Sequence, residues 1–171
     1  MIETLDRIDR ALFLFLNDLH NGVMDFIMYW VTTKETWYPF YLAVIIWMFW
    51  RFRKKAWLPL LFVVTGIALA DQLTSSFMKP FFERLRPCHD PQIGHLVHLV
   101  DGCGGKYGFA SGHASNSFML ATLLFLFFRP YVRKLGWLFA WAAIVAYSRV
   151  YVGVHYPGDI LVGALLGMGI G

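Results

Sequence analysis

Between Trp57 and Ala70 the chain reads WLPLLFVVTGIALA, with no ionisable group and no amphipathic stripe. FMLATLLFLFF, from Phe118 to Phe128, has the same character. A helix that is apolar all round has no face for water, so such runs belong in lipid or in a bundle surrounded by lipid. Only 15% of the residues are charged, against about 25% in soluble domains. The chain is read as an integral membrane protein. A formal net charge of +4 raises nucleic acid as a partner, but no basic tail or RNA-binding motif accompanies it, and none is expected. Lys and Arg instead flank apolar spans, where they orient and anchor. Glu3, Asp6 and Asp9 interrupt the first residues before any apolar core starts, which argues against a cleavable signal.

Residues 2–16 carry Ile2, Leu5, Ile8, Leu12 and Phe15 three or four apart, with Glu3, Asp6, Arg7, Asp9 and Arg10 between them. This is an amphipathic helix, expected to lie in the membrane interface. Val23–Val31 is short and contains Asp25; residues 11–32 form either one kinked span or two pieces. Counting that piece first, the further spans are Trp37–Trp50, Trp57–Met78 (closed by Lys79-Pro80), Gly112–Phe128, Leu135–Tyr147 and Pro157–Gly171. The expected fold is all-α, a membrane bundle of about six transmembrane helices forming a single domain over 1–171. Residues 1–18 form its amphipathic helix and 84–110 an outer loop. Two spans separate the basic clusters Arg51, Arg53, Lys54, Lys55 and Arg129, Arg133, Lys134, so both lie on one side, the cytoplasmic one by the positive-inside rule. The 84–110 loop and the 148–157 turn then lie outside.

That outer side is unexpectedly basic, with Lys79, Arg84, Arg86, Lys106 and Arg149. Three polar islands meet there: KPFFERLRP (Lys79 to Pro87), ASGHASNSF (Ala110 to Phe118) and SRVYVGVHYPGD (Ser148 to Asp159). Guanidinium forks and an ammonium match phosphate oxygens. Ser111-Gly112 ahead of a helix offers backbone N–H groups and a hydroxyl to an anion. His155 and His113 are candidates for nucleophile and general acid, and Asp159 follows His155 at a spacing that lets it orient the imidazole. Taken singly, each Lys or Arg is explained as a snorkelling anchor, each His as a satisfied polar residue, and Asp159 as a helix-start carboxylate. Their coincidence at one depth argues for a shared anion site.

These residues resemble the type 2 phosphatidic acid phosphatase superfamily, which includes membrane lipid phosphatases and soluble vanadium haloperoxidases. Its signature joins Lys-x6-Arg-Pro, Pro-Ser-Gly-His and Ser-Arg-x5-His-x3-Asp. Here Lys79 precedes Arg86-Pro87 at the right spacing, and Ser148-Arg149, His155 and Asp159 reproduce the last part in full. Ala110 replaces the proline before Ser111-Gly112-His113, which loses loop stiffness but no chemical group. The resemblance implies that His155 attacks phosphorus, Asp159 orients it, and His113 protonates the leaving oxygen and then activates water. It implies that Lys79, Arg86, Ser111, Gly112 and Arg149 hold the phosphoryl oxygens, with no metal and no cofactor.

The outer loop also holds Cys88, His89, Asp90, His95, His98 and Cys103, whose spacing matches no tight zinc pattern. On the periplasmic side Cys88 and Cys103 form either a disulfide or two buried thiols. The expectation is a lipid phosphatase of a bacterial inner membrane, multi-pass, with its site facing the periplasm. Its partners are a lipid phosphate substrate and membrane lipids; the oligomeric state is open. Undecaprenyl diphosphate is favoured as substrate, with phosphatidylglycerol phosphate and lipid A phosphate as alternatives. A phosphotransferase with the same phosphohistidine, a non-catalytic lipid-binding protein and a small transporter are the rival readings.

Overall fold

The computed structural model describes residues 2–132 and 134–171; Arg133 of the second basic cluster lies outside them. Among the described residues the ordered elements are helical: α1 (Ile2–Asn17), α2 (Gly22–Thr32), α3 (Tyr38–Phe52), α4 (Trp57–Asp71), α5 (Lys79–Phe82), α6 (Gly112–Phe128), α7 (Trp137–Tyr151) and α8 (Pro157–Ile170). A π-helical stretch, Gln72–Met78, joins α4 to α5. Residues 57–82 therefore form one rod, the one helix among the described residues both long and apolar enough to cross a membrane unaided. At 1.5 Å per residue it reaches about 39 Å.

Lys79-Pro80 does not close this rod, contrary to expectation. The π turn shifts the hydrogen bonding by one residue, and the Lys79 N–H reaches the Thr74 carbonyl. Pro80 then sits in the first turn of α5, where its missing N–H costs little. Glu83, in the left-handed region at φ 47°, ends the helix.

The α1/α2 ambiguity resolves into two helices. The break falls before Asn21, whose side chain caps α2 by accepting the Met24 N–H at 3.0 Å. The pieces expected as first and second spans instead descend together along α7 as one broken rod. Asn21 N–H donates to the Tyr151 hydroxyl at 3.2 Å, Trp37 packs on Trp141 at 5.4 Å, and Phe40 reaches Trp137 at 6.1 Å. Extended Thr33 and the 3-10 turn Lys34–Trp37 make the break, and Pro39 starts α3. Among the described residues the bundle thus has five rods: α2–α3, α4–α5, α6, α7 and α8.

At the centre stands α6, packed most extensively on α8, then on α7 and α4. Small residues let α8 come close: a Cβ on Gly163 would fall 2.5 Å from the Ser111 carbonyl oxygen. Outward faces are apolar, with Trp30, Leu42, Trp50, Phe62 and Leu165 exposed. The basic loops meet at one end, where the Arg51 guanidinium lies 3.7 Å from the Tyr131 ring centre. The 83–111 loop and the α7–α8 turn share the other end, and α1 lies across it. There the Asn17 amide donates to the Tyr151 carbonyl at 2.8 Å and the His98 carbonyl at 3.0 Å, and accepts the His98 N–H at 2.8 Å.

Helix α1 packs on the protein through Phe13, fully buried against the Tyr156 ring, and through charged side chains, while its apolar stripe faces outward. Leu5, Ile8, Leu12 and Phe15 are exposed, while Asp6, Asp9 and Arg10 turn inward to form ion pairs.

Candidate active site

Helix α7 runs four residues beyond the expected Tyr147, so Ser148-Arg149 lies in its last turn rather than in the connection. Gly153, at φ 85°, then reverses the chain; a Cβ there would meet the His98 carbonyl oxygen at 2.6 Å. Pro157 starts α8 with its fixed φ. Asp159, in the first turn, accepts the Tyr156 N–H on Oδ2 at 3.0 Å, and the same oxygen lies 3.3 Å from His155 Nδ1. Both side chains are buried, Asp159 completely.

Arg86 approaches the other edge of the imidazole, its Nη1 lying 3.3 Å from Nε2 and donating to the Val154 carbonyl at 3.0 Å. A guanidinium offers only donors, so Nε2 is the nitrogen with the free lone pair. Nδ1 then carries the proton that Asp159 accepts. Burial, reinforced by Arg86 and Arg149 and opposed by Asp159, pushes the His155 pKa down to about 4. The imidazole is therefore neutral at ordinary pH.

Residues 84–86 are extended, and Leu85 pairs with Tyr107 in an isolated bridge. Alternation along an extended chain sends Arg84 to the same side as Arg86. Arg84 Nη1 donates to Asp159 Oδ1 at 2.8 Å, and Nη2 to Asp9 at 2.8 Å and Asp6 at 3.1 Å. Burial works against the Arg84 charge, yet the Asp159 and Asp9 carboxylates raise its pKa overall.

Ser111 precedes the first turn of α6, its N–H bonded to the Asp159 carbonyl at 3.0 Å. Its fully buried hydroxyl has no partner among the described residues, and neither has Arg149 Nε. Buried donors without a partner suit an anionic group that needs them. Arg149 Nη1 donates to the Thr32 hydroxyl at 2.6 Å. The ionisable neighbours of His113 are Arg149, His155 and Lys79. Lys79 Nζ lies 3.3 Å from the Ser75 hydroxyl, which in turn donates to Asp71 at 3.2 Å. Gly112 lies against Thr74; a Cβ on it would come 3.3 Å from the Thr74 hydroxyl oxygen. His155, Asp159 and Arg86 are thus in direct contact, and Arg149, His113 and Lys79 complete one electrostatic cluster. A cavity of about 470 Å³ leads from His113 and Thr32 down between α3, α4, α6 and α7, past Tyr41, Ile67 and Met48.

Four contributors are not part of the motifs: Arg84, Asp9, Thr32 and Gly108, where a Cβ would lie 3.1 Å from Asp159 Oδ2. The Arg-x-Arg spacing was a usable signal for Arg84. The others belong to segments whose approach depends on the tertiary fold.

Cys88 and Cys103 are joined as a disulfide, their Cα atoms 6.1 Å apart, which removes both sulfurs as metal ligands beside His89. His20, Asp25 and His98 also group closely, but His98 Nε2 pairs with Asp25 at 3.1 Å and its ring stacks on His20.

The family model of the PAP2 superfamily matches residues 59–171. The chain belongs to the PAP2 superfamily. Among PAP2 relatives, the lipid A 4'-phosphatase of Bacteroides thetaiotaomicron is 40% identical, over 98% of this chain and 75% of that protein. The lipid A 4'-phosphatase of Porphyromonas gingivalis is 39% identical, over 99% and 72%. The crystal structure of Aquifex aeolicus LpxE superposes with a TM-score of 0.71 at 26% identity, covering 94% of this chain and 90% of that one. The all-helical PAP2 architecture is thus common to both folds.

Proposed function

We propose that this PAP2 lipid phosphatase removes a phosphate from lipid A through a phosphohistidine on His155. The carrying observation is the geometry of that imidazole: its Nδ1 lies 3.3 Å from the Asp159 carboxylate and its Nε2 3.3 Å from the Arg86 guanidinium. Nε2 attacks phosphorus, the P–O bond to the lipid breaks, and His113 gives its proton to the departing oxygen. Water then attacks the phosphohistidine, losing a proton to His113, and the N–P bond breaks to release inorganic phosphate. Arg86, Arg149, Lys79, Ser111 and the Gly112 N–H stabilise the charge gathering on the phosphoryl oxygens.

Lipid A replaces undecaprenyl diphosphate as the favoured substrate, because two relatives aligned over nearly the whole chain carry that name. We place the five rods across a bacterial inner membrane, one fewer than expected, with α1 on the periplasmic face. The positive-inside rule and a disulfide in the outer loop support that orientation.

The test is phosphate release from lipid A 4'-phosphate, undecaprenyl diphosphate and phosphatidylglycerol phosphate, with and without a lipid acceptor. Release is expected to be fastest from lipid A, independent of acceptor, inhibited by vanadate and abolished in His155→Ala. No release from any substrate would end the hydrolase reading, and an active His155→Ala would remove the nucleophile.

A further inference from the structure

Helix α1 lies outside the residues that the family model matches, yet its acidic face reaches the catalytic centre through a single arginine. Asp159 Oδ1 accepts from Arg84 at 2.8 Å, and the other end of that guanidinium is held by Asp9 at 2.8 Å and Asp6 at 3.1 Å. The second oxygen of Asp9 accepts the Gly158 N–H at 2.8 Å, one residue before Asp159. The Arg84 guanidinium also lies 4.2 Å from the centre of the Tyr156 ring, which fixes its plane.

We propose that Asp9 is a positioning residue for catalysis, acting through Arg84 to keep Asp159 an effective partner of His155. The proposal rests on the phosphohistidine reading. When Nε2 bonds to phosphorus while Nδ1 keeps its proton, the imidazole becomes cationic, and Asp159 is the carboxylate in contact with it. An arginine paired with Asp159 alone would cancel that charge and leave the cation unsupported. Asp9 and Asp6 share the guanidinium, so the cluster as a whole stays negative beside the ring.

The other groups around His155 all oppose its positive charge. They are Arg86 on the outer loop, Arg149 on α7, and His113 on α6 whenever it is protonated. On α1 itself, Arg10 is occupied by Asp6 at 3.0 Å and by Asp90 at 3.2 Å. Asp159 and the α1 carboxylates behind Arg84 are therefore the counterweight, and Asp9 is the member that touches both the arginine and the start of α8.

Asp9→Asn tests this, because it removes the charge while keeping an oxygen for the Gly158 N–H. The expected result is a kcat roughly tenfold lower, the scale of an interaction of one pKa unit, with KM for the lipid phosphate not raised. The sign of the pH effect follows from charge. Losing a negative group disfavours protonated His155, so the acid limb of kcat/KM moves to lower pH. Asp9→Glu, which restores the charge, recovers most of kcat. A wild-type kcat in Asp9→Asn overturns the proposal. So does a loss of activity with raised KM and an unmoved acid limb, which marks a purely structural role. His155→Ala run alongside separates the two levels: if it stays active the phosphohistidine reading fails, and if it is dead while Asp9→Asn is normal only the role of Asp9 fails.

Discussion

Gly108 occupies a place where a single methyl group would intrude on three side chains of the proposed site. A Cβ built there lies 3.1 Å from Asp159 Oδ2, 3.3 Å from Arg86 Cγ and 3.5 Å from His155 Nδ1. Its φ lies outside the left-handed region, so its requirement is one of space. Gly108→Ala is expected to wedge the carboxylate away from the imidazole. Misplacements of this size cost catalysis more than folding, so kcat should fall about ten- to a hundredfold with little change in Tm. Steady-state phosphate release beside a thermal melt checks this; equal activity would show that the dyad has slack. Nothing about Gly108 announces the role in the sequence, since its neighbours come from residues 86, 155 and 159. Lys79, Arg86, Arg149, His155 and Asp159 could be picked out as candidates because cations and imidazoles at one depth suit an anion and their spacings resemble the family signature. Arg84 looked like one more interfacial cation because the identity of its partners is set by the packing of α1.

The helices divide in the same way between what composition decides and what packing decides. For α6 the limits were readable, because Ser-Gly opens it and an apolar run sustains it to the basic loop. For α4–α5 they were not: proline predicts a stop, but a wider turn upstream absorbs it. The broken α2–α3 rod read as two spans because each half is apolar and their alignment along α7 depends on aromatic contacts between distant segments. In α1 the sequence revealed two faces but not which of them points inward, since lipid accepts the apolar stripe and the protein needs the acidic one. Asn17, at the end of α1, carries much of the attachment between that helix, the outer loop and the end of α7. It is 2% exposed and uses both ends of its amide. Asn17→Ala would leave the buried Tyr151 carbonyl without its 2.8 Å partner, at a cost of about 1–3 kcal/mol. A lower melting temperature in detergent, with the helical content unchanged, is the expected outcome; an unchanged melt would mean that Phe13 and the ion pairs hold α1 without the amide.

Across the whole molecule, the five rods leave a cleft rather than a sealed bundle, since α3 and α4 make few contacts with each other. The cavity that begins at His113 and Thr32 lies along this seam and is walled mainly by apolar side chains down to Met48 and Leu60. A lipid whose head lies at the cations can keep its chains in that cleft without leaving the bilayer. The search for substrate is then two-dimensional, and the quantity that sets the rate is the mole fraction of substrate in the membrane, not its molarity in the tube. Adding inert phospholipid at constant substrate molarity should slow turnover in proportion, while diluting the whole suspension should leave the rate per enzyme untouched. A rate that followed bulk molarity instead would mean that substrate arrives through water. For an enzyme built on this cleft, surface area is the unit of concentration.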